Sequence, residues 1–84
     1  HNHYDHLDRD AALRISQRND GRTRWLVPLK MADWFRRAGI ANVTELDWWD
    51  ETAPAEGRDD VRAWFVPAQH FSGRGVNDRN ATLW

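Results

Sequence analysis

Eighty-four residues, with 12 Lys and Arg against 13 Asp and Glu and no cysteine, admit one small domain and exclude a disulfide framework or a thiolate metal site. A net charge of −1 offers no basic excess to neutralise a phosphate backbone, so no nucleic-acid partner is expected. No apolar run approaches the ~20 residues that span a bilayer, and six Trp point to an ordered, well-packed chain.

The first six residues, His1-Asn2-His3-Tyr4-Asp5-His6, place three imidazoles and a carboxylate in one short loop. Histidine is the commonest metal ligand, and the interleaved Asn, Tyr and Asp set the run apart from a plain histidine tag. In an extended loop, residues two apart project the same way, so His1 and His3 can grip one ion together. Asp5 and His6 project differently and can serve a second. A solvated polar terminus is the alternative reading. The chain begins at the first of these ligands and therefore reads as a piece of a longer domain.

Asp8 to Arg18 suits an amphipathic helix with Asp8 as its cap and Leu7, Ala11, Ala12 and Ile15 on one face. Asn19-Asp20-Gly21 is a turn that ends it. Thr23 to Val27 reads as a short strand closed by Pro28. Leu29 to Ala38 follows as a helix with a Met31, Trp34, Phe35, Ala38 stripe that stops at Gly39. Val43 to Leu46 is a second strand, and Thr52 to Asp60 a surface turn. Val61 to Val66 alternates as a strand should, and Ala81 to Trp84 resembles the start of another. Short strands alternating with two helices imply an α/β or layered α+β domain.

His70, the one remaining histidine, sits where the strand at Val66 gives way to a loop, a place where ligands are often displayed. It is the candidate third ligand beside His1 and His3. Two ions ~3.5–4 Å apart can share a hydroxide and lower its pKa, and that hydroxide attacks phosphorus or a carbonyl. Asp5 then either binds the second ion or orients the attacking water, which makes it the candidate catalytic residue. Arg74 and Arg79, in the loop after His70, are candidates for bidentate contact with a substrate phosphate. A solvated loop with local ion pairs is the plainer reading of both. Trp48-Trp49 can lie at a lipid headgroup boundary or pack beneath a sheet edge, and packing is the expectation.

His1-Asn2-His3-Tyr4-Asp5-His6 resembles the H-x-H-x-D-H signature of the metallo-β-lactamase superfamily. Glu45-Leu46-Asp47-Trp48-Trp49, Pro67-Ala68-Gln69-His70 and Asp78-Arg79-Asn80-Ala81-Thr82-Leu83-Trp84 resemble the branch that holds N-acylphosphatidylethanolamine-hydrolysing phospholipase D. The resemblance implies an αβ/βα sandwich of which residues 1–84 form one partial domain, truncated at both ends. It implies two zinc ions, His1, His3 and His70 on one, Asp5 and His6 on the other. Iron or manganese also suits an imidazole-rich site. The family pattern adds a bridging aspartate and a later histidine that this chain, ending at Trp84, does not contain.

The implied activity is a metal-dependent phosphodiesterase that uses a metal-bridging hydroxide on a phospholipid, active in the full-length protein rather than in the fragment. Alternatives are a lactonase acting on a small phosphorylated substrate, or a non-catalytic metal-binding module. Peripheral membrane contact and a homodimer are compatible with that reading. The location is left open between the cytoplasm, with which the lack of cysteine is compatible, and a membrane surface.

Overall fold

The computed structural model describes residues 1–84. A loop over residues 1–7 leads into α1 (Arg9–Arg18), then β1 (Trp25–Pro28), α2 (Ala32–Arg37), β2 (Val43–Leu46), β3 (Glu51–Thr52) and β4 (Ala63–Trp64). No helix is long and apolar enough to cross a membrane.

α1 begins where a side chain replaces a missing backbone partner: Asp8 Oδ1 accepts from the Ala11 amide at 2.6 Å. It ends in paired amide bonds, Asp20 donating to the Gln17 carbonyl at 3.1 Å and Gly21 to the Ser16 carbonyl at 2.8 Å. Of the expected face, Ala12 is buried and Leu7 and Ala11 are half-buried, but Ile15 is 46% exposed and Ser16 is buried in its place. The rotation follows from Trp25, whose Nε1 donates to Ser16 Oγ at 2.8 Å and draws that side of the helix onto β1.

β1 and β2 run parallel, Trp25 opposite Val43 and Pro28 opposite Leu46, with α2 in the crossover between them. The helix starts at Ala32, three residues later than expected, because the chain turns through Lys30 at φ 69° after leaving the strand. Its start is capped from a distance: Glu45 Oε1, on β2, accepts from the Ala32 amide at 2.8 Å. Its end is the one expected. Gly39 takes φ 88°, and Ile40 donates to the Phe35 carbonyl at 2.9 Å, so the two side chains meet in the core. That core is Ala12, Val27, Met31, Phe35 and Ile40, flanked by Leu7, Leu13, Trp25, Trp34 and Val43.

β3 and β4 form an antiparallel arm, Glu51 opposite Trp64 and Thr52 opposite Ala63. The strand expected over Val61–Val66 shrinks to Ala63–Trp64 because β3 offers only two partner residues. The strand expected from Ala81 does not form. That segment is laced to the body by separate bonds: Leu83 donates to the Leu29 carbonyl at 3.2 Å, and Trp48 Nε1 to the Trp84 carbonyl at 2.7 Å. Trp48 packs edge-on against Trp84 as the packing reading requires, whereas Trp49 stands 66% exposed at φ 74°.

Candidate metal centre

The hexapeptide folds as an extended entry followed by a turn over residues 4–6, closed by the His6 and Leu7 amides donating to the His3 carbonyl at 3.0 and 2.9 Å. The extended part gives His1 and His3 a common side and turns Asn2 into the protein, where it is 5% exposed. Asn2 Oδ1 accepts from the Gly73 amide at 2.7 Å, which brings the loop after His70 alongside.

The outcome is a cluster of four imidazoles centred on His1, with ring centroids 4.6 Å from His3, 4.5 Å from His6 and 4.4 Å from His70. One ligand nitrogen from each of His1, His3 and His70 lies within 4.8 Å of the others. His70 Nε2 and His3 Nδ1 are 3.2 Å apart, close to the ~3.3 Å edge of a tetrahedron whose ligands stand ~2.0–2.1 Å from a zinc ion. The same pair of nitrogens can share a proton when no ion separates them. His1 Nε2 is the discriminating atom: it is buried and has no hydrogen-bond partner. A buried nitrogen left unpaired among imidazoles is the signature of a donor set arranged for a cation, and the residues therefore fit a metal.

Asp5 and His6 lie outside the convergent trio. Asp5 is on the outer side of the turn, its side chain 80% exposed, with Oδ2 3.6 Å from His6 Nε2. It joins the cluster only through His6. Phe71 closes another side, its ring 4.6 Å from that of His3 and 5.0 Å from that of His70. Arg79 stacks over Phe71 at 4.5 Å and forms no ion pair. Arg74 is placed differently: Nη1 donates to the Asn2 and Leu7 carbonyls at 2.9 and 2.8 Å, and its plane lies over Tyr4 at 4.0 Å. Its guanidinium is thus engaged by the protein itself.

Several residues of this region escape a search for ligands. Ser72, fully buried, donates from Oγ to the Thr82 carbonyl at 2.7 Å. Asp78 Oδ1 accepts from the Arg74 and Gly75 amides at 3.1 and 2.7 Å, and these donors hold its carboxyl below the usual aspartate range. The Gly-Arg-Gly run with an acid shortly after it was the available signal, since an Asp so placed readily accepts from a turn backbone.

A parallel βαβ unit with a histidine cluster displayed on loops at its margin defines an α/β domain with a loop-borne metal-type centre. The chain belongs to the β-lactamase superfamily: the family described as "Beta-lactamase superfamily domain" matches residues 1–84. Proteins of this family usually bind metal ions. The chain is 39% identical, over its whole length, to N-acyl-phosphatidylethanolamine-hydrolyzing phospholipase D 1 of Caenorhabditis elegans. It is 34% identical to the mitochondrial enzyme of the same description from Saccharomyces cerevisiae and 40% identical to an uncharacterised protein of Mycobacterium tuberculosis. It spans 25%, 18% and 21% of those proteins respectively. The resemblance read from the hexapeptide and the later phrases is borne out.

Proposed function

We propose that the protein carrying this chain is a zinc-dependent phosphodiesterase that hydrolyses an N-acylated phosphatidylethanolamine to phosphatidic acid and an N-acylethanolamine. The observation that carries this reading is the convergence of His1, His3 and His70, with His1 Nε2 buried and unpartnered. The names of the two phospholipase D relatives supply the substrate class. His1, His3 and His70 would hold one zinc, and Asp5 with His6 would contribute to a second. When bound, such ions would supply a lowered water pKa and positive charge to offset that on the phosphoryl oxygens.

The chain's own residues do the rest. Asp5, open to solvent on the turn with Oδ2 3.6 Å from His6 Nε2, would orient the attacking water and receive its proton on a carboxylate oxygen. Phe71 packs its ring against those of His3 and His70 and so borders the cluster on one side. Arg79, stacked on Phe71 and free of ion pairs, is the arginine positioned to meet the substrate phosphate, while Arg74 is occupied elsewhere. The exposed indoles of Trp49 and Trp64 are side chains that favour a headgroup boundary and suit a substrate held in a bilayer.

Asp5→Asn in the whole protein tests the scheme. Turnover of N-acylphosphatidylethanolamine in mixed micelles is expected to fall by about 10²–10⁴-fold, the contribution of a positioned acid or base, with circular dichroism unchanged. A folded Asp5→Asn protein of wild-type activity overturns the mechanism. A wild type that ignores this phospholipid but opens a phosphorylated lactone overturns the substrate.

A further inference from the structure

We infer that Arg74, braced by Asp78, is a positioning residue that locks the His1–His6 loop against the loop carrying His70 and so sets the geometry of the metal centre. The inference rests on the reading of the histidine cluster as a metal centre.

The carbonyls that Arg74 Nη1 holds belong to Asn2 and Leu7, at 2.9 and 2.8 Å, and His3, Asp5 and His6 lie between them in sequence. One side-chain nitrogen therefore fixes both ends of the ligand loop. The guanidinium plane is stacked 4.0 Å from Tyr4, inside that loop, and 5.0 Å from Trp34 on α2, which ties the loop to the rigid body of the domain. No carboxylate forms a salt bridge with Arg74, so its donors serve carbonyls rather than a surface ion pair.

The other half of the clamp is backbone. Gly73 donates to Asn2 Oδ1 at 2.7 Å, and the Arg74 amide donates to Asp78 Oδ2 at 2.9 Å. Arg74 stands four positions after His70, so whatever fixes Arg74 also fixes the point from which His70 reaches His1 and His3. Lysine cannot substitute fully. A single ammonium on a flexible stem reaches a carbonyl, but it has no plane to stack between two rings.

The test uses the whole protein with Arg74→Ala, Arg74→Lys and Asp78→Asn. Zinc affinity is measured by competition with a chromophoric chelator, and ligand geometry by the visible absorption of the cobalt(II)-substituted protein. Arg74→Ala is expected to lower zinc affinity by ~10–100-fold, the usual effect of removing a group that orients metal ligands, and to shift the cobalt bands. Arg74→Lys is expected to fall between Ala and wild type on both readouts. Where Arg74→Ala does not fold, Arg74→Lys and Asp78→Asn decide on the same readouts. Folded variants with wild-type affinity and unaltered cobalt bands overturn the clamp and leave the metal centre standing. A wild-type protein that takes up no zinc overturns both.

Discussion

The two ends of this small domain are held together by different forces. Around β1, β2 and the helices, cohesion is apolar: Val27, Met31, Phe35 and Ile40 are each 4% exposed or less, and the polar exceptions are local, such as Ser16 meeting Trp25. Around the histidines, the deeply buried residues are Asn2 and Ser72, both polar, and each is matched to a backbone group, Asn2 to Gly73 on the opposite loop and Ser72 to Thr82. Apolar packing tolerates small shifts with a graded loss of contact, whereas a hydrogen bond is directional and fails over a short displacement. A centre that must hold nitrogens at fixed separations is better fastened by the second kind of contact. The first supplies the stable base to which it is attached.

Substitutions on the two sides should therefore separate stability from geometry. Phe35→Ala removes the largest buried side chain and is expected to destabilise the domain by about 3–5 kcal/mol. A urea titration checks the loss, and the cobalt(II) spectrum of the remaining folded protein should match wild type. Ser72→Ala strands the Thr82 carbonyl and is expected to cost about 1–3 kcal/mol. Here the same titration should show the smaller loss and the cobalt spectrum the larger change. A reversed pattern would break the distinction between the two regions.

The smallest effect concerns acid. Asp78 has a depressed pKa because the Arg74 and Gly75 amides donate to its carboxylate, so the folded state favours the charged form. Its contribution is complete above the ordinary aspartate value of about 3.9 and disappears as pH falls through the lower folded value. Asp78→Asn is expected to flatten this part of the acid-stability curve and to leave the region above pH ~5 unchanged in slope. Equal acid slopes in the two proteins would remove Asp78 from the account.

What could be read from the sequence follows the range of the forces involved. α1 was legible because Asp8 caps it from three residues away and the Asn19-Asp20-Gly21 turn closes it, all local events. The start of α2 was not, since its cap comes from Glu45 and its delay from the φ of Lys30. Val61–Val66 alternated convincingly, yet a strand extends only as far as its partner does, and the partner is Glu51–Thr52. In the site, the spacing of His1 and His3 dictates a shared side, and His70 joins them as the strand-end position suggested. Asn2 carries no ligand signal of its own in the sequence. The same alternation that exposes the histidines turns Asn2 inward, where a polar group requires a partner, and Gly73 is that partner. Arg74 reads as a surface cation in any local window because its acceptors, at Asn2 and Leu7, lie 72 and 67 positions away.

Those long separations have a thermodynamic consequence. Bringing His3 to His70 closes a loop of 67 positions, and such closure carries an entropic cost that grows as the logarithm of loop length. In a small finger-like domain the ion itself meets that cost, and removing it unfolds the chain. Here the Asn2, Arg74 and Ser72 bonds add protein contacts that help to offset that cost, so less of it falls on whatever the imidazoles bind. On the proposed reading of the cluster as a metal centre, binding free energy that would otherwise go into ordering the chain would be left for affinity.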